Sequence, residues 1–117
     1  MDLVAVKELP MIRERGVCCS LPVVKESWAE SRAELMKALA DPTRLTIVAS
    51  LAKASIPICI CDFTAGLDLS QPTISHHMAK LKDAGLVESE KRGIWIYYRL
   101  RQKMPAETRK LLNDLIA

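Results

Sequence analysis

Apolar residues along this chain follow a helical period in most stretches and a strand period in one. Trp28, Leu35, Met36 and Leu39 share one face of a predicted helix that Ser27 can cap and that runs to about Ala40. Asp41-Pro42 is a second start signal, an acidic N-cap followed by proline at the first helical position. Leu45, Ile47, Val48 and Leu51 then give a mostly apolar helix ending near Lys53. Residues 56–61, IPICIC, read as extended and apolar, and Asp62 can cap a short third helix through Leu67. Ser70 caps a fourth, with Pro72 in its first turn and Gly85 as its stop.

The period changes over residues 86–100, LVESEKRGIWIYYRL. Val87, Ile94, Trp95, Ile96, Tyr97 and Tyr98 favour strands. Glu-Lys-Arg-Gly interrupts them, which predicts a hairpin with a basic tip. Pro105 starts a last helix with Leu111, Leu112, Leu115 and Ile116 on one side, a face that stays exposed unless a symmetric partner covers it. Residues 1–25 show no period and contain Pro10 and Pro22, so they read as an arm. Residues 26–117 then form one domain. Two helices joined by a tight turn and followed by a hairpin make a winged helix-turn-helix. The predicted fold class is mainly α with a β-hairpin wing (α+β), and dimeric.

At 117 residues the chain is long enough for one modest core. No stretch is long and apolar enough to span a membrane, and the N-terminus lacks the pattern of a secretory signal. A cytoplasmic location is therefore expected, where thiols stay reduced. Cys18, Cys19, Cys59 and Cys61 then read as metal-binding or redox groups before disulfides. Charge adds a direction. Residues 1–69 carry 8 basic and 9 acidic side chains, whereas residues 70–103 carry 7 and 3. The positive excess lies on the fourth helix and the hairpin, which suits an anionic partner as well as a solvated surface.

The fourth helix separates its residues by face. Ile74, Met78 and Leu81 form an inward stripe, leaving Gln71, Thr73, Ser75, His76, Lys80 and Lys82 on other faces. A short polar N-terminal half followed by lysines matches a recognition helix in a major groove of double-stranded DNA. Taken alone it also matches an ordinary amphipathic surface helix; the preceding turn and the basic wing favour DNA. The expected DNA-binding residues are Gln71, Thr73, Ser75, His76 and Lys80 on the helix, with Lys91 and Arg92 on the wing. His77 falls beside the buried stripe and reads as a packed or phosphate-facing side chain rather than a metal ligand.

The segments DPTRLTIV, ICICDF, LSQPTISHHMAKLKDAGLV and KRGIWIYYRL, in that order, resemble the ArsR/SmtB family of metal-responsive repressors over roughly residues 30–117. The resemblance implies a dimeric winged helix that binds operator DNA when metal-free and leaves it when metal binds. It implies a thiolate site at Cys59 and Cys61, at the start of the third helix, of the kind used by arsenite-, antimonite-, cadmium- and lead-responsive members. The family's other site, of histidines and carboxylates on the last helix, is missing, because no histidine follows His77.

Two residues apart on a helix point to opposite faces, whereas i and i+2 of an extended segment point the same way. Cys59 and Cys61 therefore chelate together only if the entry to the third helix is extended. Two thiolates are too few for soft ions, and position 64, where some arsenite-responsive relatives carry a third cysteine, is Thr64. Cys18 and Cys19 are the other cysteines of the chain, so the arm is expected to supply the missing sulfur. Relatives with N-terminal cysteines imply an arm that reaches the other subunit. Arsenite or antimonite is the expected effector, with cadmium or lead as the alternative, and no organic cofactor is expected. A thiol redox or persulfide sensor on the same fold is a further alternative, and so is a pair of small core cysteines with no ligand role. Asp62 reads as a cap before a ligand. No acid-base pair or activated nucleophile beyond the thiols argues for an enzyme.

Overall fold

The computed structural model describes residues 21–117. Its elements run α1 (Glu26–Leu39), α2 (Pro42–Lys53), β1 (Ile58–Cys59), α3 (Ile60–Leu67), α4 (Gln71–Asp83), β2 (Val87–Arg92), β3 (Trp95–Leu100) and α5 (Ala106–Ile116). Local signals explain most of these boundaries. The Asp41 carboxylate accepts from the Arg44 amide at 2.9 Å with Pro42 next in sequence, so α2 begins as its sequence predicts. Ser70 caps α4 through the Thr73 amide at 3.3 Å. At the other end of α4, Gly85 takes φ +75. Its amide donates to Lys82 O and that of Leu86 to Leu81 O, both at 3.0 Å, closing a Schellman motif that glycine permits. That stop turns the chain directly into the wing.

Three expectations need correction. The N-cap of α1 is Lys25, without a side-chain cap, and Ser27 lies inside the first turn beside Glu26, whose charge complements the helix dipole. The IPICIC segment is extended only through Cys59, because α3 already begins at Ile60; Asp62 sits within the first turn and does not cap it. The wing strand β2 continues through Arg92, and the turn is the two-residue loop Gly93–Ile94, so Ile94 lies outside the strands. Gly93 has φ +63, as the first position of a two-residue hairpin loop favours.

The core gathers Ile47 and Val48 of α2, Ile74, Met78 and Leu81 of α4, and Leu86 at the entry to the wing, all essentially buried. The inward stripe of α4 is thus the one its sequence predicts. The last helix divides its apolar face in a way the sequence did not show. Leu112 is 2 % exposed in the chain's own core, Leu111 and Ile116 pack against that core, and Leu115 remains 54 % exposed. The sheet has the order β1-β3-β2, antiparallel throughout, with Cys59 opposite Tyr97 and Ile58 opposite Tyr98. Among the described residues no helix is long and apolar enough to cross a membrane.

Candidate metal centre and nucleic-acid interface

Cys59 occupies the junction of three elements. Its backbone is extended (φ −69°, ψ 145°), it ends β1 against Tyr97 of the wing, and it holds the N-cap position of α3. Cys61 is the second residue of that helix. The entry is extended at Cys59 but helical at Cys61, short of the fully extended segment the i, i+2 spacing calls for, yet the two sulfurs lie side by side. The Cys61 thiol donates to Cys59 Sγ across 2.8 Å. That is well beyond the about 2.03–2.05 Å of a disulfide, and both cysteines are free. Cys59 is 5 % exposed, between Ile58 and Ile60, while Cys61 faces outward. The pair therefore has a fixed inner sulfur and an accessible outer one.

The hydrogen bond to Cys59 raises the Cys61 pKa above the usual thiol range, with burial and the nearby Cys59 and Asp62 charges acting in the same direction. A thiol proton that also bonds to a second sulfur is held more tightly than a lone one. A soft ion bound here displaces that proton or carries it away as water. Thr64 Oγ1 donates to the Cys61 carbonyl at 2.8 Å, so the position that carries a third cysteine in some relatives serves the helix backbone here. Among the described residues no group of three or more His, Cys, Asp or Glu side chains forms a metal cluster. The expected ligands Cys18 and Cys19 lie outside the described residues.

The seven expected nucleic-acid contacts are all exposed: Gln71, Thr73, Ser75, His76 and Lys80 on α4, and Lys91 and Arg92 at the wing. Thr73 is partly engaged, its hydroxyl 2.9 Å from that of Ser70. Arg92 donates to Glu90 Oε2 at 3.1 Å and stacks its guanidinium 5.3 Å from the Tyr97 ring centroid. The wing cation nearest the tip is thereby anchored to the residue that pairs with Cys59.

His77 turns away from the exposed set. Its Nδ1 lies 3.3 Å from Arg44 Nη1 and 4.0 Å from the Asp41 carboxylate. Arg44 was not singled out by the sequence, yet it joins three helices. Its Nε donates to Ala38 O at 2.7 Å and its Nη2 to Lys37 O at 3.3 Å, at the C-terminal end of α1. The Arg44 amide bond also holds the Asp41 carboxyl below its usual pKa. A cation on the last carbonyls of a helix is favoured by their partial charge, but no local pattern announces it.

α1 and α5 border a groove of about 780 Å³ with an apolar floor that includes Trp28, Leu35, Met36 and Leu111. Arg32 bridges its rim, paired with Glu107 and stacked 4.5 Å from the Trp28 ring centroid.

Comparison with known proteins identifies this arrangement. The model of a family described as "Bacterial regulatory protein, arsR family" matches residues 41–89, which span α2 through the start of the wing. The arsenical resistance operon repressor of Escherichia coli K12 is 43 % identical over 81 residues, covering 69 % of this chain and 68 % of that protein. The homodimeric winged helix-turn-helix DNA-binding domain Mb0332 from Mycobacterium bovis superimposes with TM-score 0.65 at 26 % identity, covering 76 % of this chain and 78 % of that one. Reduced HlyU from Vibrio cholerae gives TM-score 0.65 at 28 % identity, covering 77 % and 90 %. With its helix-turn-helix, its wing and the likeness to the Escherichia coli repressor, the chain belongs to the arsR family of bacterial regulatory proteins.

Proposed function

We propose that this chain is a cytoplasmic, dimeric transcriptional repressor that holds its operator when effector-free and releases it on binding trivalent arsenic or antimony. The observation that carries the reading is the thiol pair at the junction of wing and reading unit. An ion held by Cys59 and Cys61 is held by a residue paired with the wing and by the first turn of the helix preceding α4. Cys18 or Cys19 supplies the remaining sulfur. Likeness to the Escherichia coli arsenical resistance repressor supports the choice of ion.

Proton accounting separates this reading from a cadmium or lead sensor. Arsenous acid is neutral, and each thiol that replaces one of its hydroxyls releases a water and no net proton. A divalent cation releases one proton for every thiol it takes. The Cys61 pKa is raised, so this thiol carries its proton at neutral pH. Arsenite affinity should therefore be flat between about pH 6.5 and 8, whereas cadmium affinity should climb about tenfold per pH unit for each proton released. Fluorescence anisotropy on operator DNA, titrated with arsenite, antimonite, cadmium and lead under reductant at both pH values, tests both points. Release by cadmium or lead at far lower concentration than arsenite overturns the assignment of the ion. No release by any of the ions overturns the metalloregulatory reading.

A thiol-disulfide switch is the second reading, favoured by the close approach of the two sulfurs. It requires release by an oxidant without any ion. Release by arsenite in excess reductant, with none by peroxide, excludes it.

The reading surface makes a further prediction. Gln71→Ala or His76→Ala should weaken operator binding by roughly 5- to 150-fold with thermal stability unchanged, since a lost base contact costs about 1–3 kcal/mol. Unchanged affinity in both would move the reading surface off this face of α4. The dimer is assigned to the α1–α5 groove, because Trp28 and Met36 in its lining stay exposed, Leu115 of α5 is exposed too, and the Mycobacterium bovis domain is homodimeric. Sedimentation should give a dimer at micromolar concentration; a monomer there overturns the assignment.

A further inference from the structure

The tip of the wing carries a large apolar side chain held in water. Two-residue hairpin loops face water and put glycine where φ is positive, which Gly93 supplies at the first position. Here the loop is Gly93–Ile94, and the β-branched Ile94 is 83 % exposed. An exposed isoleucine adds nothing to this fold.

The surroundings of Ile94 indicate what it meets. Cross-strand register places Glu88, Glu90 and Arg92 on one face of the hairpin, and Ser89 and Lys91 on the other. Lys91 and Arg92 therefore leave the hairpin on opposite faces next to the tip, with the Arg92 guanidinium drawn back to Glu90 and the Tyr97 ring. Down the hairpin the outer face carries no net charge, with Glu88 paired with Arg99 at 2.7 Å and Glu90 with Arg92 at 3.1 Å. That face has no excess charge to draw phosphate, whereas Lys91 at the tip is exposed and makes no ion pair among the described residues, so the wing approaches DNA end-on. The minor groove is about 6 Å wide with a phosphate rail on each side. A hairpin tip with one cation per side and an apolar point between them fits that cross-section. Trp95, 48 % exposed beside the tip, widens the apolar contact.

We infer that Ile94 enters the minor groove flanking the major-groove site of α4 and leans on a base step there, selecting operators whose flank unstacks easily. The inference rests on the DNA-binding reading and extends it from base contacts to deformability. Apolar side chains at minor-groove steps act in this way, and pyrimidine–purine steps yield most readily.

The test begins with a random duplex pool from which the wild-type protein selects its own sites. Anisotropy titrations on a selected duplex then compare wild type with Ile94→Ser, Ile94→Leu and Lys91→Ala, with 2-aminopurine placed at the flanking step to report unstacking. Ile94→Ser should lose on the order of tenfold in affinity on the selected duplex, because its apolar surface no longer leaves water. It should also lose the 2-aminopurine signal and, on reselection, the flank preference, while the half-site remains. Ile94→Leu should restore all three. Lys91→Ala should lower the salt slope by about one and keep the flank preference. Thermal unfolding of every variant should match wild type, since nothing lies within 4 Å of the tip glycine's side-chain position and Ile94 packs on no core. An Ile94→Ser protein within twofold of wild type, or a wild type that selects half-sites with no flank preference, overturns the inference. A wild type that selects no duplex at all overturns the DNA reading beneath it.

Discussion

Cys61→Ser is expected to keep the operator affinity of the wild type within about twofold and to abolish release by arsenite. The serine hydroxyl is nearly isosteric, the side chain is exposed, and α3 does not rely on it for a cap. The proposed DNA contacts lie elsewhere, on α4 and the wing tip. The substitution removes the accessible sulfur, and with it the ion's hold on α3. If the coupling is of ordinary size, wild type shows a roughly 5- to 150-fold loss of operator affinity on arsenite addition, and the variant shows none. Cys59→Ser should behave alike for release and also cost stability, because it puts a hydroxyl where a buried sulfur now sits. Cys18→Ser or Cys19→Ser alone should be partly rescued by the neighbouring thiol. The double variant should bind arsenite weakly. Anisotropy on operator DNA under reductant gives all of these. A double arm variant that responds like wild type removes the arm from the switch. A Cys59→Ser protein that still responds, beside an arm variant that does not, moves the site onto the arm and ends the junction mechanism.

Much of this arrangement was legible in the sequence because its signals are local. Asp41-Pro42, Ser70 and Gly85 act within one helical turn of themselves, and they mark the ends of α2 and α4 in the fold. Ile74, Met78 and Leu81 announce which face of α4 is buried, and that leaves the exposed polar set by subtraction. The thiol pair was visible as chemistry before its geometry was known. The illegible parts are non-local. IPICIC is apolar at every position but its cysteines, so no period marks where strand gives way to helix. The boundary at Cys59 comes from pairing with Tyr97 of the wing. Leu112 and Leu115 share one predicted face, yet only packing against the domain decides that the first is covered by its own chain. Ile94 reads as a strand residue by propensity, and the register with β3 moves it to the tip.

Arg44 is the clearest residue of this hidden kind, and its replacement should have the largest effect on stability. Arg44→Met keeps the aliphatic length and the backbone amide that Asp41 accepts from, but removes the guanidinium. Three contacts go with it: Ala38 O at 2.7 Å, Lys37 O at 3.3 Å and His77 Nδ1 at 3.3 Å. Lys37 O retains the Ala40 amide as a partner, so the main loss is at Ala38 O and at the imidazole. Charge-assisted hydrogen bonds contribute about 1.5–3 kcal/mol each, and the α1 terminus also loses the cation that matches its dipole. A total near 2–4 kcal/mol is expected, a large share of a marginal domain's stability. The urea midpoint should fall with the slope unchanged, since compactness is preserved. Arg44→Lys should recover only part of it, because an ammonium reaches one carbonyl but lacks the planar fork that spans two carbonyls and an imidazole. Operator affinity of the folded fraction should stay within a few-fold of wild type, which separates a clamp from a DNA contact. If Arg44→Met unfolds at the wild-type midpoint, α1 is held to the reading unit by the apolar contacts of Ala38 and Leu39 alone, and the guanidinium bridge carries no net stability.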